Sequence, residues 1–167
     1  ATSTTAITGN LDARATVPTT GTFDATDPTS YNSTTSLAVF DSKGNSHTLD
    51  LYFIKTSTAN QWDVKTFLDG AATTAGAITA LPFSTAGAYD TTGNKGTVNI
   101  TQAVAGAVDL TIALDITGLT QYGTNFAVTT AKQNGYSAGQ LSSIEVNEYG
   151  LVSARYRNGI SSSMGQF

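Results

Sequence analysis

The chain has 167 residues, only 12% of them charged, a net charge of −4 and no cysteine. That length can bury a core without staples, and the missing thiols exclude a disulfide framework, a thiolate metal site and a cysteine nucleophile. Eight scattered Lys and Arg do not supply the clustered basic surface that phosphate binding needs, and no apolar run approaches the roughly 18 residues of a membrane-spanning helix.

Residues 1–22 are rich in Ala, Thr and Gly. Within them Ile7 and Gly9 alternate with Thr8 and Asn10 before Leu11, and Arg14 to Thr20, with Pro18, reads as a linker. Phe23 to Tyr31 is a turn-rich entry to the next strands, because Pro28 restrains Asp27 to extended geometry. From Ser36 to Asp69 the period of two is clear. Leu37 and Val39 mark a first strand, Leu49, Leu51 and Phe53 a second, and Trp62, Val64 and Thr66 a third. Asp41-Ser42-Lys43-Gly44-Asn45 and Ser57-Thr58-Ala59-Asn60 separate them with residues that tolerate turn geometry. The pattern predicts a three-strand antiparallel meander.

Gly70 to Gly76 is predicted to be a small-residue loop, with at most a short helical turn within 71–80, because Thr73, Thr74 and Gly76 disfavour a helix. Leu81, Phe83 and Tyr89 then turn inward around Thr91-Thr92-Gly93-Asn94, and Val98 and Ile100 alternate with Thr97, Asn99 and Thr101. The clearest strand places Val108, Leu110, Ile112, Leu114 and Ile116 on one face. Five buried aliphatics contribute about 1.5–3 kcal/mol each, and a one-residue slip would expose them all. Phe126 and Val128 mark a further strand. The texture changes at Lys132-Gln133-Asn134-Gly135-Tyr136. Beyond it Leu141, Ile144 and Val146, a turn at Asn147-Glu148-Tyr149-Gly150, then Leu151, Val152, Ala154 and Tyr156 predict a second hairpin ending at Asn158-Gly159. No long amphipathic helix appears. The expected fold is all-β.

The chemistry-bearing residues are few. His47 is the single histidine, with Asp41 and Ser42 nearby in sequence, and reads as a turn or strand-edge residue rather than a catalytic base. Asp24 with Asp27, and Asp41 with Asn45, lack the spaced oxygen ligands and closing Glu of a calcium loop, so turn chemistry is the better reading. Asp109 and Asp115 on one extended strand would lie about 20 Å apart, too far for an acid–base pair. Glu145 and Glu148 flank a turn and read as solvated. Trp62 with Tyr52 and Phe67 could form an aromatic platform for sugars, against which stands simple core packing of Trp62. Asn32 and Asn99 begin short glycosylation-type patterns that carry no weight. No catalytic, cofactor-binding or metal-ligating residue is assigned, no cofactor is expected, and no enzyme is expected from one His and no Cys.

Two longer patterns carry a resemblance. Tyr31-Asn32, then Leu37 to Asp41-Ser42-Lys43-Gly44-Asn45-Ser46-His47-Thr48, with Leu51 to Thr56 and Trp62-Asp63-Val64, resembles a segment of bacterial flagellar hook proteins. Asn134 to Leu141, Gly150-Leu151-Val152, and Tyr156-Arg157-Asn158-Gly159 to Met164-Gly165-Gln166 resembles a segment shared among flagellar axial proteins, including the distal rod protein. The family organisation implies an outer β domain inserted in an interrupted inner one. Mapped onto this chain, an antiparallel barrel or sandwich spans residues 24–133, and residues 1–23 and 134–167 form part of a second, discontinuous β domain. Residues 1–12 are then expected to pair or pack with 140–157. The abrupt start at Ala1 and end at Phe167 read as a piece cut from a longer protein, lacking the family's helical terminal segments.

The function this implies is mechanical: a structural subunit of the hook, the extracellular universal joint that passes torque from rod to filament. Its implied partners are further copies of itself and neighbouring axial proteins (distal rod, hook cap and hook–filament junction), with no nucleic acid or membrane partner. The chain by itself is expected to be monomeric. A hydroxyl- and amide-rich surface suits sliding contacts, because such contacts exchange with water at small net cost. An extracellular carbohydrate-binding or adhesin-like β-sandwich is the alternative; it should expose a row of aromatic rings.

Overall fold

The computed structural model describes residues 1–92, 96–149 and 151–166, and every regular helix or strand among them is a strand. Alternation writes the first four. β1 (Thr4–Asp12) buries Thr5, Ile7, Gly9 and Leu11, and β2 (Ser33–Phe40) buries Leu37 and Val39. β3 (Ser46–Lys55) buries Leu49, Leu51 and Phe53, and β4 (Gln61–Leu68) buries Trp62, Val64, Thr66 and Leu68. Successive side chains point to opposite faces of a strand, so each sequence puts its apolar set on one side. The expected meander is present, with β2, β3 and β4 antiparallel in that order.

Four more strands extend it: β5 (Ala71–Pro82), β6 (Thr97–Gln102), β7 (Leu110–Tyr122) and β8 (Ala127–Gln133). The eight lie in the order β2-β3-β4-β5-β6-β7-β1-β8. All neighbouring pairs are antiparallel except β1 and β7, which are parallel. The sheet curls around one core to which every strand contributes, from Ile7 and Leu11 through Trp62, Leu81 and Ile100 to Leu114, with Val128 of β8 packed against it. Its two edges approach each other where Thr2 bridges them. Thr2 N donates to Phe40 O at 2.7 Å, Thr2 Oγ1 accepts from Phe40 N at 2.9 Å and donates to Gln133 Oε1 at 3.0 Å.

Three expectations need correction. Residues 71–80 are neither loop nor helical turn but most of β5. Asp69 (φ 49°) and Gly70 (φ 80°) form the two-residue turn that pairs Leu68 with Ala71, and an Asp-Gly turn with both residues at positive φ matches the twist of a hairpin. Val108 is not in the core strand: it is 71% exposed, and β7 begins at Leu110. The chain turns just before it, with Ala107 N bonded to Val104 O, and Val108 N donates to Ser42 Oγ at 3.1 Å instead of to a strand partner. Finally, residues 1–12 do not pair with 140–157. β1 lies between β7 and β8, held by the burial of Ile7 and Leu11 and by Asn10, whose amide reaches Thr124 O and whose Oδ1 accepts Tyr122 N.

The remaining strands form a separate sheet in the order β11-β10-β9: β9 (Leu141–Val146), β10 (Leu151–Tyr156) and β11 (Ser161–Gln166). The β9–β10 hairpin is as expected. Gly150 of its turn, Gly93 and Asn94 of the turn expected at 91–94, and the terminal Phe167 lie outside the described residues.

Candidate functional site

His47 lies at the start of β3, opposite Val39, and reaches two carboxylates. Its Nδ1 is 2.6 Å from Asp69 Oδ2, on the β4–β5 turn, and its Nε2 is 3.4 Å from Asp41 Oδ2. The Asp69 hydrogen bond, then that of Asp41, raises the His47 pKa above its ordinary value against the opposing effect of burial. Asp69 is held low chiefly by His47 and by the Thr48 N–H. Asp41 is buried, which opposes ionisation, yet its pKa falls well below the usual range. Its oxygens accept from Asn45 Nδ2 and N, from Lys43 N and from the histidine. This is a turn built around a carboxylate. Ser42 is not presented to His47 as a nucleophile; its hydroxyl accepts Val108 N.

Several other acidic residues serve their own turns. Asp24 accepts the N–H and hydroxyl of Thr26, and Asp27 those of Thr29, so both serve their own loop. Asp115 accepts from Thr117, while Asp109 lies in the loop before β7. Glu145 meets Arg155 at 3.7 Å with both side chains largely in water. Among the described residues no group of three or more His, Cys, Asp or Glu is placed to hold a metal ion.

The aromatic platform is not formed. Trp62 is 1% exposed, inside the core, with Nε1 donating to Gln121 Oε1 at 2.6 Å and Lys55 Nζ 5.0 Å from its ring centre. Tyr52 and Phe67 point from the opposite face of β3 and β4, since residues of opposite parity on a strand face opposite ways. There Phe23 and Tyr31 pack edge-on against Tyr52 and Phe23 packs tilted against Phe67, with ring centres 4.9–5.7 Å apart for the three contacts. The segment expected as a linker, residues 14–20, is part of this strap. Arg14 pairs with Asp12 at 2.8 Å, and Asn32 Nδ2 donates to Thr16 O at 2.7 Å.

The three-stranded sheet presents the open surface. Its pairing aligns Val146 with Val152 and Ile144 with Ala154, while Glu145 faces Ser153 and Ser143 faces Arg155. One face is therefore apolar and the other polar. Among the described residues no layer covers this face over its β9 edge: Ile144 is 58% and Val146 60% exposed, and Leu141 is half exposed. Tyr136, Tyr149 and Met164 add exposed apolar surface in the same part of the chain. The alternation of β9 reads in sequence as ordinary core; nothing in it signals that the cover is missing.

A family model described as the flagellar basal body protein FlaE D2 domain matches residues 10–136. The flagellar hook protein FlgE of Salmonella typhimurium is 37% identical over 163 residues, covering 94% of this chain and 39% of its own. This chain belongs to the flagellar hook protein family. The hook protein of Escherichia coli K12 is 35% identical over 161 residues, again with 94% of this chain and 39% of its own covered, and that of Rhizobium meliloti is 32% identical over 133 residues, covering 76% and 32%. A fragment of the hook protein of Caulobacter crescentus is similar in structure with a TM-score of 0.49 at 20% identity, over 62% of this chain and 46% of that one. The hook-family chain thus spans about two-fifths of the length of the curated relatives it matches most fully. The domain match takes in the eight-stranded body from the end of β1 to β8 and stops before the three-stranded sheet.

Proposed function

We propose that this chain is a segment of the structural subunit of a bacterial flagellar hook, and that its work is mechanical. The observation that carries this reading is the identity to hook proteins along nearly the whole chain. In the full subunit, the eight-stranded body acts as a stiff outer module. The three-stranded sheet belongs to an inner module completed by chain outside residues 1–167. We place β1 with the eight-stranded body, because it lies between β7 and β8, and propose the division between the two modules at the 134–140 linker. The open apolar face of the second sheet supports that division, since large exposed apolar patches mark surfaces that become buried in an assembly.

The partners we propose are further copies of the subunit along the hook and the axial proteins at its two ends (distal rod, hook cap and hook–filament junction), in an extracellular tube. The chain by itself is monomeric. The body's Thr- and Asn-rich surface lets neighbouring outer modules slide as the tube bends, because polar contacts exchange with water at small cost. A large dry apolar contact between bodies in the assembled tube would overturn the sliding claim.

The test is an antibody raised against this chain and imaged on flagella of the source organism by electron microscopy. Label confined to the short curved segment between rod and filament is the expected result. Label on no flagellar part would overturn the reading.

A further inference from the structure

We infer that the turn of residues 41–47 is a latch that fastens the 134–140 linker to the eight-stranded body, and that His47, held between Asp69 and Asp41, is the positioning residue that closes it. The latch requires nothing of the hook reading. It rests on a continuous chain of contacts from the histidine to the linker.

The linker meets the body at Gly44. Ala138 N donates to Gly44 O at 3.2 Å, and the backbone of Ala138 lies so close that a Cβ on Gly44 would overlap it. Gly44 also has φ 81°, a left-handed conformation that side chains resist. Its position is set by the Asp41 carboxylate, which binds the N–H groups of Lys43 and Asn45 on either side of it, while Gly44 N donates to Asp41 O. His47 ties that carboxylate to Asp69 on a different turn. A third loop joins through Val108 N and Ser42 Oγ. Two other connections of the body and the outgoing linker therefore converge on this one short turn. From Ala138 the linker runs directly to the second sheet, where Asn158 Nδ2 donates to Ser137 O and Arg157 N to Gln140 O.

The charged groups around His47 are few. Its own hairpin brings Asp41 and the β4–β5 turn brings Asp69, the two charged groups that act on the ring. The residues lining the groove beside the ring at the end of β6 and the start of the β6–β7 loop, Gln102 to Ala105, are uncharged, and the linker carries only Tyr136 as a titratable group. Two carboxylates against one ring favour the imidazolium, which donates from both nitrogens. Because the folded His47 pKa is raised, the clamp is complete below the ordinary histidine value of about 6.5 and is lost as pH rises through the higher folded value. Asp41 and Asp69 are lowered, so their share is present above the ordinary carboxylate value of about 4 and is lost only as pH falls through their depressed values. The latch is tightest between these limits and loosens on the alkaline side.

Amide hydrogen exchange by NMR on the full chain, read as protection factors at about pH 5.5 and about pH 8.5, tests this. The amides of Ala138 and Val108 should lose about threefold in protection at the higher pH, the scale of a partly exposed ion pair. The loss should vanish in His47→Gln and in Asp69→Asn, with β7 amides as the fold control. Equal protection at both pH values, or the same loss in His47→Gln, would overturn the latch. So would a His47 ring that titrates at or below the ordinary value.

Discussion

The eight-stranded body and the three-stranded sheet are written in the same alternating residues, yet they differ in what those residues find. In the body, Leu49, Leu51, Phe53, Val64 and Leu114 of the alternating faces meet one another across a curled sheet and are fully buried. In the second sheet, Ile144 and Val146 alternate as regularly and face water. A period of two specifies a strand with an apolar side; it does not supply the layer that side packs against. The body contains its own second layer because its sheet curls until its two edges approach. The small sheet has three strands and cannot.

The largest effect that tests this contrast is expected at Trp62. Trp62→Ala should cost about 3–5 kcal/mol in urea unfolding, because it opens a cavity in a closed core and strands the Gln121 oxygen. A cost under about 1 kcal/mol, the range of ordinary surface changes, would mean that the body is not closed around it. The seam is the next place to press. Thr2→Val removes the hydroxyl that joins Phe40 N to Gln133 and should cost about 1–3 kcal/mol; an unchanged midpoint would show that the two edges do not depend on it. In the small sheet, Val146→Ser should move stability by no more than about 0.5 kcal/mol in this chain, as for other exposed positions. A cost like that at Trp62 would erase the distinction between the two regions.

The smallest effect concerns the strap. Asp12 is held at about 2 by the Arg14 guanidinium and N–H. That pairing favours the folded state above the ordinary carboxylate value and ceases to do so as pH falls through about 2. In Arg14→Ala the Asp12 carboxyl should titrate higher, part of the way to the ordinary value of about 3.9, because the N–H of residue 14 remains. NMR of its carboxyl carbon reads this directly, and an unmoved titration would mean that Arg14 does not hold the Asp12 charge.

Much of the body is legible in the sequence because local chemistry and long-range packing agree there. The meander from Leu37 to Leu68 needs only its alternation and two turns. β5 escapes a reading by periodicity because Ala71 to Gly76 offers little to bury. The Asp69-Gly70 pair that forms its hairpin is nonetheless a turn of the kind two strands require. Val108 continues the period of its strand by arithmetic, but the chain has not yet entered the sheet. The placement of β1 depends on a parallel pairing with β7, more than 100 residues away, and no local pattern encodes a partner at that distance. Asp41 is a turn residue in sequence and in structure, and His47 sits at the start of β3 just after that turn. Their tie to Asp69 is not readable from the chain, because it joins two different hairpins.

The central claim is that the body buries its own apolar face while the second sheet leaves Ile144 and Val146 in water. Hydrogen exchange across the whole chain at one pH tests it most directly. Amides of β3, β4 and β7 should exchange only through global unfolding, and those of β9 to β11 through local opening at much lower free energy. Equal protection in the two sheets would contradict the claim.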